Sequence, residues 1–179
     1  DIGKIMIPNE ILTKPGKLTV AEYNIMKQHV NFGYEKVKNQ NIDIRIKEAC
    51  LLHHEKCDGT GYPFGLKSDH IPAVAKIIAI ADVYDAMTSA RVYRGALCPF
   101  EVIDTMYKDA FTKFEPEYIL PFLKNVASSY INNDVRLSDG RIGKVVLINE
   151  NALSLPIVQC EDEFIDLSKT RELTVSAIL

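Results

Sequence analysis

Five residues stand out as able to do chemistry: Asp1, His29, His53, His54 and Asp82. Imidazole nitrogens and carboxylate oxygens are donors that hold divalent metals. Asp82 lies within Lys76-Ile77-Ile78-Ala79-Ile80-Ala81-Asp82-Val83-Tyr84, an otherwise apolar helical stretch. A carboxylate buried there without a partner costs several kcal/mol or protonates, so it needs a cation, a metal or hydrogen-bond donors. His53 and His54 are adjacent, and neighbouring positions on a helix point about 100° apart. Near a helix end, such a pair serves two metals, or one metal and one substrate group. Taken singly, each residue also has a bland reading. Asp82 fits a structural carboxylate bonded to backbone, the His pair fits one packed and one surface ring, and His29 fits an ordinary core or surface histidine. Asp1 means nothing by itself. Together the five form a mixed set on separate segments, the way helical bundles build metal centres from facing helices. The set contains no thiolate, which argues against a structural zinc site and for iron or manganese, with zinc still compatible.

Several helices must position these donors. Lys14-Pro15-Gly16-Lys17 is a turn signal, and Thr19-Val20-Ala21-Glu22 reads as a capping box. The helix it opens is expected to run to about Lys38, with Tyr23, Met26, Val30 and Val37 approximating one face. Asn39-Gln40-Asn41 breaks it, and Asp43 is expected to cap a second helix through His54. Cys57-Asp58-Gly59-Thr60-Gly61-Tyr62-Pro63-Phe64-Gly65 is too rich in glycine for regular structure. A third helix starts at Pro72 and runs to Thr88, nearly all apolar, and is expected to be the most buried. Two shorter helices follow, at about Pro99–Ala110 and Pro116–Ile131.

The pattern changes near Val135. The segment from Val135 to Ile148 carries Asp139-Gly140 between β-branched runs, a hairpin signal. Pro156-Ile157-Val158 and Phe164-Ile165-Asp166-Leu167 read as further short strands. The expected fold is mainly α, with a helical domain over residues 1–133 and a small β-rich appendage over 134–179.

Composition narrows the partners. The 179 residues are 47% hydrophobic and 25% charged, ordinary for a globular protein. Lys and Arg number 21 against 24 Asp and Glu, a net charge of −3, so DNA or RNA binding through a basic surface is not expected. Cys50, Cys57, Cys98 and Cys160 show no C-x-x-C spacing and read as reduced thiols of a cytoplasmic protein. No apolar run approaches the roughly 20 residues of a membrane span, and the start has no signal-peptide pattern. Because the chain does not begin with methionine, it is expected to come from a longer protein.

His53-His54-Glu55 followed by Gly59-Thr60-Gly61-Tyr62-Pro63 resembles the signature of the HD-GYP domain, a bacterial branch of the HD phosphohydrolase superfamily. Asp1-Ile2-Gly3-Lys4-Ile5 is similar to the stretch that begins with the Asp of the HD pair. Asn9 to Thr19, Ala81 to Ser89, and Arg91-Val92-Tyr93-Arg94 resemble the following blocks in order. The likeness covers residues 1 to about 125.

The resemblance implies an HD-type helical bundle that hydrolyses cyclic di-GMP with two or three divalent metals, usually iron or manganese. It implies Asp1 as a catalytic, metal-bridging carboxylate and His29, His53, His54 and Asp82 as further ligands. It sets Lys4 near the substrate phosphate, where an ammonium stabilises developing charge or protonates the leaving oxygen. Arg91 and Arg94 match a phosphate-holding pair and share a face if their segment is helical or turn-like. Gly61, Tyr62 and Pro63 line the site, and Tyr62 or Tyr93 is a candidate for stacking on guanine. The expected product is pGpG or GMP.

The sequence departs from the family in one respect. The His that precedes the Asp of the HD pair is absent, as are the family's earlier helices. Two alternatives therefore stand beside the enzyme: a catalytically incomplete module that binds cyclic di-GMP or a protein, and an HD phosphohydrolase for another nucleotide. An upstream sensory or receiver domain and a homodimer are also expected.

Overall fold

The computed structural model describes residues 1–90, 95–170 and 172–179. These fall into two compact units, Asp1–Gly95 with Thr112–Glu115, and Ala96–Phe111 with Pro116–Leu179.

The first unit is helical. After a 3-10 turn, Ile2–Met6, come α1 (Asn9–Leu12), α2 (Val20–Lys27), α3 (His29–Val37), α4 (Ile44–Leu52) and α5 (Ala73–Thr88). The expected capping box forms: Thr19 Oγ1 accepts from Glu22 N, and the Glu22 carboxylate accepts from Thr19 N at 2.7 Å. Lys14 donates to the same carboxylate at 2.6 Å and, with these bonds, holds its pKa down to about 2. Asp43 caps α4 by accepting from Arg45 N at 2.8 Å.

The structure corrects three details of the sequence reading. The helix expected through Lys38 breaks at Gln28, whose N–H turns back to Ile25 O and Met26 O. This break gives His29 a carbonyl within reach of its ring. The second helix ends at Leu52, so His53 is its C-cap, with its N–H still bonded to Ala49 O, and His54 stands just beyond it. α5 is not the most buried helix. It buries Ala75, Ala79 and Ile80, whereas Ile77 and Ile78 are 48% and 43% exposed. Apolar character favours burial, but burial needs a packing partner on that face.

Close backbone approach assembles the unit. A Cβ on Gly3 would collide with His29 O and Gly33 N, and a Cβ on Gly33 would lie 2.7 Å from Cys50 Sγ. α3 is thus packed between the first 3-10 turn and α4, with glycine where each contact is tightest. Leu52, Ile71 and Ala75 form a buried apolar cluster with Leu51 and Leu66 against it. Lys76 bridges Ser68 and Glu115, each at 2.8 Å, tying residues 112–115 to this unit.

The second unit contains α6 (Pro99–Asp109), α7 (Pro116–Ser129) and a five-stranded antiparallel sheet. Its strands are β1 (Asp134–Leu137), β2 (Ile142–Leu147), β3 (Ile157–Cys160), β4 (Glu163–Asp166) and β5 (Val175–Ile178). Their order is β4-β3-β2-β1-β5. The expected hairpin joins β1 and β2, with Gly140 at φ +93° supplying the left-handed turn residue. β5, which the sequence reading did not identify, pairs with β1. Val135, Leu137, Val145, Val158 and Ile165 are buried, while alternate positions are more exposed, as the period-2 pattern of a half-covered sheet requires. Phe100, Val102, Ile103 and Met106 are the buried side of α6. By compactness, α6 and α7 group with the sheet.

Candidate metal centre

Packing of the 3-10 turn, α3 and the end of α4 brings Asp1, His29, His53 and His54 together. One donor atom from each lies within 4.8 Å of every other. Asp1 Oδ1 is 3.4 Å from His29 Nε2 and 3.7 Å from His53 Nε2. His54 Nε2 is 3.2 Å from His29 Nε2. Asp82, from α5, reaches the other side of His54, with its Oδ2 3.7 Å from Nδ1. Its carboxylate is partly exposed and faces an imidazole, so the cost expected of a fully buried, unpaired Asp does not arise.

Backbone carbonyls orient two of the rings. His29 Nδ1 donates to Met26 O at 2.8 Å, using the carbonyl beside the helix break. His53 Nδ1 donates to Ala49 O at 2.9 Å. With the proton on Nδ1, each Nε2 carries a lone pair directed into the cluster, the usual outer-shell device for a metal-binding histidine. His53 Nε2 is buried and has no hydrogen-bond partner. An unsatisfied buried nitrogen costs about 1–3 kcal/mol, and a cation at the centre of the cluster would satisfy it.

The electrostatics favour the same occupant. Burial pushes the pKa values of His29 and His53 down. His54 is lowered to about 2, first by burial and then by the neighbouring imidazoles. All three rings are therefore neutral at physiological pH, the form that ligates. The chemistry of the donors, the orphaned Nε2 and the neutral rings all fit a divalent metal.

The other expected residues divide into two groups. Lys4 Nζ donates to Asp1 Oδ2 at 2.6 Å, placing an ammonium at the cluster's edge. Tyr62 stacks on His54, with ring centroids 4.7 Å apart and planes at 25°. Gly61 and Pro63 flank it. A Cβ on Gly61 would collide with Lys56 N, so the chain passes there only as glycine. Arg91, Tyr93 and Arg94 lie outside the described residues.

Glu55 is a further residue of this region, with a role that its sequence position alone does not show. Its side chain is 3% exposed and accepts from Phe64 N at 2.7 Å and Leu66 N at 2.9 Å. Tyr62 N also donates to His54 O at 3.1 Å. Glu55 thus pins the loop that lays Tyr62 on His54. The available signal was a carboxylate immediately before a glycine-rich loop, whose free N–H groups need acceptors.

The geometry can be set beside known proteins. The HD domain family matches residues 1–118. A protein of Pseudomonas aeruginosa named cyclic di-GMP phosphodiesterase PA4108 is 38% identical over 160 residues, covering 89% of this chain and 38% of its own length. A Vibrio cholerae protein named 3'3'-cGAMP-specific phosphodiesterase 2 is 39% identical over 122 residues, covering 66% of this chain and 23% of its own length. The solved structure of Bd1817, an HDG"Y"P protein from Bdellovibrio bacteriovorus, aligns with a TM-score of 0.53 at 20% identity. That alignment covers 66% of this chain and 38% of the other, and it establishes likeness of fold. The chain spans well under half the length of these two relatives.

Proposed function

Because this chain belongs to the HD domain family, we propose that it carries the metal-dependent phosphodiesterase centre of a bacterial cyclic di-GMP signalling protein. The observation carrying the reading is the convergence of Asp1, His29, His53 and His54, with His53 Nε2 buried and unpartnered. Asp1, His29, His53, His54 and Asp82 are the proposed ligands. Two or three ions of iron or manganese suit this nitrogen and oxygen set, which includes no thiolate. Bound divalent metal supplies Lewis-acid polarisation of the phosphate and an activated water.

The chain's own residues do the rest. The Lys4 ammonium, 2.6 Å from Asp1, is positioned to stabilise charge on a phosphate oxygen or to protonate the leaving oxygen. Carbonyls of Met26 and Ala49 keep two rings in the ligating tautomer. Tyr62 covers one face of His54 and restricts water there. Gly61, Tyr62 and Pro63 form the substrate side of the loop that Glu55 holds. Arg91 and Arg94 are proposed, from their motif, to hold phosphate.

The relatives' names favour cyclic di-GMP, and that of the Vibrio cholerae protein supports 3'3'-cGAMP as a second substrate. Among the described residues no helix is long and apolar enough to cross a membrane. The four free cysteines support a reducing, cytoplasmic setting. An upstream sensory or receiver domain and a homodimer complete the proposal.

The test is turnover of both cyclic dinucleotides by anaerobically metal-loaded protein, with metal counted per chain. Formation of pGpG or GMP, lost in His53→Ala and in Asp82→Ala, is the expected result. Binding of cyclic di-GMP without turnover would leave a non-catalytic signalling module. Turnover unchanged in both variants would overturn the assigned centre.

A further inference from the structure

α2 sets Tyr23 and Lys27 four residues apart, on one face of the helix. Lys27 Nζ lies 5.3 Å from the centroid of the Tyr23 ring and 6.0 Å from that of Tyr62. The Tyr23 ring meets Tyr62 edge-on, with centroids 6.4 Å apart and planes at 82°. Tyr62 in turn stacks on His54 and lies 6.4 Å, edge-on, from His29. A continuous row therefore runs from the donor cluster through Tyr62 to Tyr23 and Lys27.

Two features of the row's outer end lack an internal purpose. Tyr23 is 48% exposed, although a tyrosine kept for packing buries its ring. Lys27 is half-buried, and its ammonium has ring faces but no carboxylate beside it among the described residues. Ring faces attract an ammonium but do not neutralise it. The complement of this end is a ligand with an anionic group for Lys27 and a flat π-system for Tyr23.

We propose that Tyr23 and Lys27 form a docking ledge for a cyclic dinucleotide, Tyr23 taking a purine by stacking and Lys27 the phosphate that is not being cleaved. This assignment rests on the phosphodiesterase reading and adds to it two binding residues outside the donor cluster and the Gly-Tyr-Pro loop. Base–aromatic stacking is sequence-tolerant, so the ledge provides affinity for purines in general. It accommodates cyclic di-GMP and 3'3'-cGAMP alike.

The experiment compares metal-loaded wild type with Tyr23→Ala, Tyr23→Phe, Lys27→Gln and Lys27→Arg. Three quantities are read: metal per chain, KM and kcat for cyclic di-GMP, and turnover of bis(p-nitrophenyl) phosphate, a diester without a purine. Tyr23→Ala and Lys27→Gln should each raise KM about tenfold, with kcat, bound metal and cleavage of the small diester within about twofold of wild type. Tyr23→Phe and Lys27→Arg should restore KM. Lys27→Gln should also flatten the rise of KM with salt, because a screened charge pair has been removed.

Unchanged KM in both disruptive variants overturns the ledge and leaves the phosphodiesterase reading standing. Loss of metal together with KM gives the pair a merely structural role and also overturns it. A wild-type chain that holds metal and cleaves the small diester but ignores both cyclic dinucleotides overturns the substrate reading, and the ledge falls with it.

Discussion

The two compact units put their buried volume to different uses. In the second, the buried side chains are apolar: Phe100, Ile103 and Met106 of α6, Ile119 and Leu123 of α7, and Val135, Val145 and Val158 of the sheet. In the first, His29, His53 and Glu55 are buried, and these are the three buried polar residues among those described. The first unit also leaves Ile2, Ile5, Ile44 and Ile77 about half exposed or more. One unit gains its stability from close packing. The other accepts desolvated nitrogens and a buried carboxylate, each of which needs a specific partner. Buried polarity among the described residues is thus concentrated at the candidate metal centre and the loop beside it, while the second unit holds a conventional core.

That contrast can be broken by substitution, and the largest effect is expected at the cluster. His53→Ala should lower metal affinity by a hundredfold or more and abolish diester cleavage, since it removes a ligand rather than an outer partner. Metal titration and turnover would show it. The same change leaves a cavity and loses the bond to Ala49 O but also removes an unsatisfied nitrogen, so the metal-free protein should lose less stability than a buried apolar truncation costs. A large drop in metal-free stability would mean that His53 is there for packing.

Ile103→Ala in the second unit should do the reverse. It deletes a fully buried side chain and should cost about 2–5 kcal/mol in denaturant unfolding. Metal bound per folded chain should stay the same. A loss of metal stoichiometry in the folded fraction would show that the units do not divide the work in this way.

Glu55→Gln should have an intermediate effect. One amide oxygen replaces the two carboxylate oxygens that accept from Phe64 N and Leu66 N. A cost of about 1–3 kcal/mol is expected, with faster hydrogen exchange at residues of the loop. Unchanged exchange at Phe64 and Leu66 would remove Glu55 from its clamping role.

The smallest effect concerns pH. Hydrogen bonds from Lys76 and Ser68 hold the Glu115 pKa below the ordinary 4.5. A carboxylate with a lowered folded pKa contributes stability that is full above its unfolded value and lost as pH falls through the folded one. Melting temperatures of wild type and Glu115→Gln should therefore differ above pH 4.5 and converge as the solution becomes more acidic. A gap that persists in acid would mean that the charge on Glu115 is not what stabilises this contact.

Much of the local structure was legible because its causes are local. Thr19 and Glu22 close a capping box, Asp43 caps α4, and Asp139-Gly140 turns a hairpin, each within a few residues. The burial of α5 is not legible in its composition, which reports how apolar it is, not whether a partner covers Ile77 and Ile78. The break at Gln28 carried no proline or glycine to announce it, and β5 is short and pairs across a long separation with β1. At the candidate centre, the sequence named Asp1, His29, His53 and His54, which the fold brings together, and Asp82, which it sets beside His54. The parts played by Glu55, Tyr23 and Lys27 could not be read from it, because they depend on where the loop of residues 57–66 comes to lie.

By itself, then, the sequence determined the kinds of donor, the helix caps, the hairpin turn and the alternation of the strands, which follow from side-chain chemistry and short-range backbone geometry. Tertiary structure decided that Gly3, Gly33 and Cys50 would meet, and so that Asp1 would face His29 and His53. It also decided which nitrogen of each ring points inward and that the rings stay neutral. Those properties arise from the dehydration and backbone carbonyls that surround a ring after packing, and segments far apart in the chain supply that environment together.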